Sequence, residues 1–212
     1  MQTMKIYEIF YSIQGEGNWT GLPNIFIRTA GCNLRCTFCD TKYAYDVKRE
    51  MTITEIVKEI KKYNCNNICI TGGEPLIQIE TNKLIDDLIN KGYRICLETN
   101  GSIDIKRIAE KKYVMISLDI KCPSSGMNKK MFFDNIFHLD KDDQIKFIIG
   151  NKEDYEYAKK IVQGYKIFCP IFFQPVENTN PKELAGWILN DCLNVKLGLQ
   201  VHKIIWEGKR GH

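Results

Sequence analysis

The sequence has no apolar run at its start, Met1 to Tyr7, that would serve as an export signal, and no later stretch long enough to span a membrane. A soluble, cytoplasmic protein is therefore expected. A basic block is also missing: 30 Lys and Arg stand against 26 Asp and Glu, and the net charge of +4 is spread along the chain, so nothing in it predicts nucleic-acid binding. Internal repeats and low-complexity linkers are absent. With 212 residues, 44% of them hydrophobic, the chain is long enough for one substantial core and too short for two, and a single domain over 1–212 is expected. The nine cysteines are an odd number in a chain without an export signal, which points to metal or redox chemistry and away from a disulfide framework.

What is present is an alternation. From residue 25 onward, short β-branched runs alternate with amphipathic segments, the pattern of parallel βα units. Strands are expected near 25–30, 67–71, 94–99, 114–119, 144–149 and 166–173, a further one near 195–202, and an extended lead-in at 5–12. Thr52 and Glu55 form a capping-box pair ahead of the apolar stripe Ile53, Ile56, Val57 and Ile60. Asn180 caps a second helix with Pro181 first and Glu183 third, its buried face being Leu184, Trp187, Ile188 and Cys192 and its stop Asn194. About six βα units in this length predict an α/β fold, an incomplete TIM-like barrel with its site at the carboxyl ends of the strands. Gly31, Gly72-Gly73-Glu74-Pro75, Asn100-Gly101 and Lys121-Cys122-Pro123 each follow one of the first four of these strands.

Cys32, Cys36 and Cys39 put three thiols on one loop directly after a strand. Thiolates select zinc or iron–sulfur clusters. Structural zinc closes its shell with a fourth protein ligand, and a second paired spacing is not found; Cys65 and Cys69, around the next strand's start, are expected at the opposite end of the sheet. Three thiolates on a four-iron cube leave one iron without a protein ligand, open to the amino and carboxylate groups of a small molecule. The spacing, with Phe38 in the aromatic position, resembles the CxxxCxφC signature of the radical S-adenosylmethionine (SAM) superfamily. Thr71-Gly72-Gly73-Glu74-Pro75 resembles that superfamily's methionine-binding element. The resemblance implies a [4Fe-4S] cluster on the three cysteines that reduces SAM to give methionine and a 5′-deoxyadenosyl radical, which takes hydrogen from substrate.

Within the superfamily, the run Tyr11 to Gly17, the loop Cys39-Asp40-Thr41, the run Pro123 to Met127 and the segment Gln200 to Lys203 resemble the 7-carboxy-7-deazaguanine synthase (QueE) family. That resemblance implies conversion of 6-carboxy-5,6,7,8-tetrahydropterin to 7-carboxy-7-deazaguanine with loss of ammonia, a step toward queuosine and related deazapurines. It also implies Mg2+, a homodimer and a reductant such as flavodoxin or ferredoxin. For substrate it implies Ile13, Gln14, Gly15 and Glu16, whose directional hydrogen bonds suit a pterin edge, Arg28 for the carboxylate, and Thr71. For SAM it implies Phe38, Gly73, Glu74, Asp119 and Lys121, and for magnesium the Thr41 hydroxyl.

Plainer readings stand beside these. Arg28 in a surface ion pair, Asp40-Thr41 as a turn or cap, Glu98 and Asn100 as satisfied core polar groups, and His202 as a structural histidine all fit the sequence. His138 and His212 carry no motif, and the six remaining cysteines read as small buried hydrophobes or unreactive thiols. Two other functions remain open, a glycyl-radical-enzyme activase and a noncatalytic zinc or electron-transfer module.

Overall fold

The computed structural model describes residues 2–177 and 179–207, so His212 lies outside the described residues. One sheet holds nine strands: β1 (Thr3–Ile13), β2 (Pro23–Thr29), β3 (Arg49–Thr52), β4 (Asn67–Gly72), β5 (Arg94–Thr99), β6 (Val114–Lys121), β7 (Gln144–Ile149), β8 (Ile171–Pro175) and β9 (Lys196–Leu197). Their spatial order is β3-β1-β2-β4-β5-β6-β7-β8-β9. Every pair from β2 to β9 is parallel, and the pairs of β1 with β2 and with β3 are antiparallel. Six full parallel strands with helical crossovers make the expected incomplete barrel, and no described helix is long and apolar enough to cross a membrane.

The helices are α1 (Ile53–Ile60), α2 (Glu80–Asn90), α3 (Lys106–Ala109), α4 (Lys152–Gly164), α5 (Pro181–Asn190) and α6 (Val201–Trp206). The α1 capping box is formed: Glu55 N donates to Thr52 Oγ1 at 3.2 Å and Thr52 N to Glu55 Oε2 at 2.8 Å. Asn180 Oδ1 caps α5 by accepting from Lys182 N at 3.0 Å.

Each of the six full parallel strands has two buried faces with different chemistry, as a sheet covered on both sides requires, whereas the two residues of β9 are exposed. Ile25, Ile27, Ile68, Ile70, Ile95, Leu97, Ile116, Leu118, Ile145 and Phe147 point to the helices and join α1, α2, α4 and α5 in the main core. Each of these side chains contributes about 2 kcal/mol by leaving water. On the other face Phe26, Cys69, Cys96 and Met115 pack with Trp19 in a smaller cluster. Two residues further along, that inner face turns polar.

The structure corrects the sequence expectations in five places. The lead-in at 5–12 is a full strand, β1, and the four-residue edge strand β3 escaped notice beside the capping box. Regular strand in the 166–173 segment begins only at Ile171, after Pro170, which has no N–H to give to a ladder. The strand expected at 195–202 shrinks to Lys196–Leu197 and is followed by helix α6, which moves His202 and Lys203 from a strand end to a helix. Helix α5 ends at Asn190, so Cys192 lies beyond it, exposed, with φ +50.

Candidate active site

The change from apolar to polar along the inner face makes the floor of a cavity of about 620 Å3. Because side chains alternate along a strand, Phe26 leads to Arg28, Cys69 to Thr71, Cys96 to Glu98, Met115 to Ser117 and Asp119, and Gln144 to Lys146. Parallel register sets these side by side: Arg28 pairs with Thr71, Glu98 with Ser117, and Asp119 with Lys146. The loop after β1 drops onto this floor, and its Glu16 reaches Lys146 on β7, which only a curled sheet permits.

Of the residues expected in the site, Ile13, Gln14, Gly15, Glu16, Arg28, Cys32, Cys36, Phe38, Cys39, Thr41, Thr71, Gly73, Asp119 and Lys121 all line this cavity. Glu74 does not. Its carboxylate is fully buried and accepts from Thr99 Oγ1 at 2.8 Å, Leu76 N at 3.0 Å and Asn100 N at 2.6 Å, so it braces the end of β5 behind the cavity wall. Burial pushes the Glu74 carboxyl up to about 7 despite these three donors.

The cysteine loop is held at several points. Glu74 N donates to Gly31 O at 2.9 Å and Gly73 N to Thr29 O at 3.2 Å, stitching the Gly-Gly-Glu turn to the loop. A Cβ on Gly73 would stand 1.8 Å from Gly31 O, so only glycine fits there. From the other side, Thr37 N and Oγ1 donate to Ser125 O at 3.2 Å and Ser124 O at 2.8 Å, and Ser124 N is itself anchored on Asp154 Oδ1 at 2.8 Å. The Pro123-to-Met127 run therefore buttresses the loop.

The donor set fits an iron–sulfur cluster better than one ion. A single zinc gathers thiolate sulfurs within about 4 Å of one another. Cys32, Cys36 and Cys39 do not converge within 4.8 Å; among the described residues only Cys69, Cys96 and Glu98 do. A four-iron cube spaces its thiolates further apart and takes N–H···S hydrogen bonds. Here Leu34 N donates to Cys32 Sγ at 3.4 Å and Asn100 Nδ2 at 3.7 Å. Burial raises the Cys32 and Cys36 thiols, so loading iron releases protons.

On the floor, Gln14 Nε2 donates to Glu98 Oε1 at 3.2 Å and Cys69 Sγ at 3.5 Å, and Thr71 Oγ1 donates to Glu98 Oε2 at 3.0 Å. Cys69 is therefore under the cavity, contrary to its expected place at the far end of the sheet. Cys65, beside Pro23 O at 3.3 Å, keeps that place. Arg28 Nε pairs with Glu8 Oε1 at 2.8 Å, and its guanidinium carbon stands 5.5 Å from the Phe10 ring centroid and 5.8 Å from that of Tyr43.

Lys146 also lines the cavity, and no motif in the sequence marks it. Its Nζ lies 2.7 Å from Glu16 Oε2 and 3.2 Å from Asp119 Oδ1, while Lys121 Nζ holds Asp119 Oδ2 at 2.8 Å. Burial alone would lower both lysines, and the neighbouring carboxylates, Asp119 foremost, outweigh it and raise them. The available signal was a lone lysine inside the apolar run 144–149. Helix α6 completes the wall: Val201 N donates to Gly15 O at 3.0 Å, Gln200 Nε2 to Glu16 Oε1 at 2.7 Å, and Lys203 Nζ pairs with Asp40 Oδ2 at 3.3 Å.

Comparison with known proteins decides the family. The model of the radical SAM superfamily matches residues 26–166. A 7-carboxy-7-deazaguanine synthase of Koribacter versatilis is 37% identical over 96% of this chain and 97% of its own, and one of Thermoplasma acidophilum is 36% identical over the same shares. The chain belongs to the 7-carboxy-7-deazaguanine synthase family. The crystal structure of QueE from Escherichia coli shares the fold, with a TM-score of 0.76 at 22% identity over 93% of this chain and 94% of that one. Membership in this radical SAM family implies a [4Fe-4S] cluster and SAM, and neither the activase nor the zinc-module reading is favoured.

Proposed function

We propose that this chain converts 6-carboxy-5,6,7,8-tetrahydropterin to 7-carboxy-7-deazaguanine with loss of ammonia, using Cys32, Cys36 and Cys39 to hold the cluster. The observation that carries the reading is the convergence of the cysteine loop, the Gln14-to-Glu16 loop, Arg28 and Thr71 on one cavity. When bound, the cluster and SAM together supply the radical that takes hydrogen from substrate.

The chain's own residues bind, orient and exclude water. Gly73, with its backbone against the cysteine loop, and Asp119 and Lys121 next to it flank SAM; backbone near Phe38 meets the adenine. Glu74 serves this half indirectly, by fixing the Gly-Gly turn from behind. Gln14 and Glu16 read the donors and acceptors of the pterin edge, Arg28 faces the substrate carboxylate over two aromatic rings, and Thr71 with Glu98 closes the floor. Thr41 Oγ1, donating to Asp40 Oδ1 at 2.8 Å, and the Asp40 carboxylate form a hard oxygen pair suited to magnesium. Burial would raise Asp40, and the Thr41 hydrogen bond with the Lys203 charge holds it below its ordinary value, in the ionised form a cation needs.

The chain acts in this reading as one domain, paired as a homodimer and fed electrons by a flavodoxin or ferredoxin. The test is to load the cluster anaerobically, add SAM, magnesium, reductant and the carboxytetrahydropterin, and follow the deazapurine by mass spectrometry. A preparation that cleaves SAM and yields no deazapurine overturns the assignment.

A further inference from the structure

Lys146 sits in a strand, Gln144–Ile149, in which all six residues are buried, and it is itself only 2% exposed. A lysine is retained in such a place when its charge is used. Asp119 shares the Lys146 charge through Oδ1, 3.2 Å away, but does not depend on it alone, because Lys121 Nζ stands 2.8 Å from Asp119 Oδ2. Glu16 does: among the described residues no other lysine or arginine pairs with it, and Lys146 Nζ meets Oε2 at 2.7 Å. The other Glu16 oxygen, Oε1, accepts from Gln200 Nε2 at 2.7 Å. Each oxygen is thus fixed by a donor from a different element, and each keeps acceptor capacity for a ligand. The Glu16 side chain, 13% exposed, has that capacity at the floor of the cavity.

We propose that Lys146 is the positioning residue that holds Glu16 as a fixed, charged acceptor, and that this selects ligands presenting two adjacent N–H donors, as a 2-aminopyrimidin-4-one edge does. The inference rests on the pterin reading given above. A carboxylate that cannot become a donor rewards an amino group and a ring N–H, and repels a ligand that puts a carbonyl oxygen in place of the amino group. Without the Lys146 charge, Glu16 is free to take a proton or swing away, and the distinction is lost. Lys146 touches no reacting atom in this role; it acts through Glu16.

The experiment uses anaerobically loaded enzyme with SAM and measures binding of 6-carboxypterin and of 6-carboxylumazine, which differ at that one position, by their own fluorescence. The wild type is expected to favour the pterin by roughly tenfold or more. K146M should bring the ratio to near unity and raise KM for the carboxytetrahydropterin more than it lowers kcat, while K146R keeps most of the preference. E16Q should lose the preference equally, and K146M/E16Q should lose no more than either alone. The double variant also leaves no unpaired buried charge, so it reports even where K146M does not fold. A K146M enzyme with the wild-type ratio, or losses that add in the double variant, overturns the proposal. Equal binding of both compounds by the wild type overturns it alone; a wild type that cleaves SAM and binds neither compound overturns the pterin reading and this inference with it.

Discussion

The floor of the cavity and the wall behind the cysteine loop each hold a glutamate away from water, and they settle its charge in opposite ways. Glu16, on the floor, is raised by burial, but the Lys146 ammonium with the hydrogen bonds from Gln200 and Lys146 outweighs that and holds it well below its ordinary value. Glu74, behind the wall, has three neutral donors and no cation, and burial prevails, taking it to about 7. One carboxylate is a permanent charge at the cavity; the other is held behind its wall by three neutral donors. The floor is organised by protein charges in advance, whereas the cysteine loop is shaped by backbone contacts and completed by what binds to it.

The sharpest way to break this contrast is to remove a thiol. C36A should lose cluster iron and visible absorbance, and SAM cleavage should fall by about a thousandfold or more. Cleavage that persists with wild-type iron content would sink the assignment of the loop. G73A comes next: the new Cβ, 1.8 Å from Gly31 O, must push the turn off the loop, with a stability loss of about 3 kcal/mol in urea denaturation and poor iron loading. An unchanged midpoint would show that the loop is looser than its hydrogen bonds imply.

The Glu74 side of the comparison is tested by pH. The unfolded carboxyl titrates near 4.5 and the folded one near 7, so between these values the native state binds more protons. Stability should therefore fall as pH rises from 4.5 to 7, by about 2 to 3 kcal/mol from this group. E74Q, which carries no charge at any pH, should flatten that part of the profile; an equal slope in both proteins would remove Glu74 as its source. The smallest effect is expected at Gln200, whose single hydrogen bond to Glu16 is backed by Lys146. Q200L should raise KM for the pterin about fivefold, read in steady-state kinetics, with little change in kcat.

Much of the architecture was legible in the sequence because parallel strands are nearly continuous apolar runs and α1 and α5 carry their own caps. The cysteine loop and the glycine turn were legible as local spacings. What escaped was set by distant partners. Lys146 shows as an oddity in its strand, but the group that explains it lies 130 residues earlier in sequence. Val195 to His202 alternates like a strand, yet only Lys196 and Leu197 are in register with β8 at the open edge of the sheet, and the chain leaves it after Gly198 N donates to Phe173 O at 2.8 Å. Cys69 was misplaced because strand position alone does not reveal that Gln14 folds down onto it. The Glu74 motif borders the site and is legible as a spacing, while its three donors come from the backbone and hydroxyl of neighbouring turns, which the spacing does not reveal.

The antiparallel lead-in and the short last strand leave the barrel with a seam, spanned by α6 lying against Gly15. The wall is joined there by one amide, Val201 N to Gly15 O at 3.0 Å, and by the Gln200 side chain on Glu16, and not by a strand ladder. At this seam the cavity is bounded by Gly15, Gln200 and His202, so the bore of the barrel there is set by three residues, from one loop and the start of α6, and not by strand spacing.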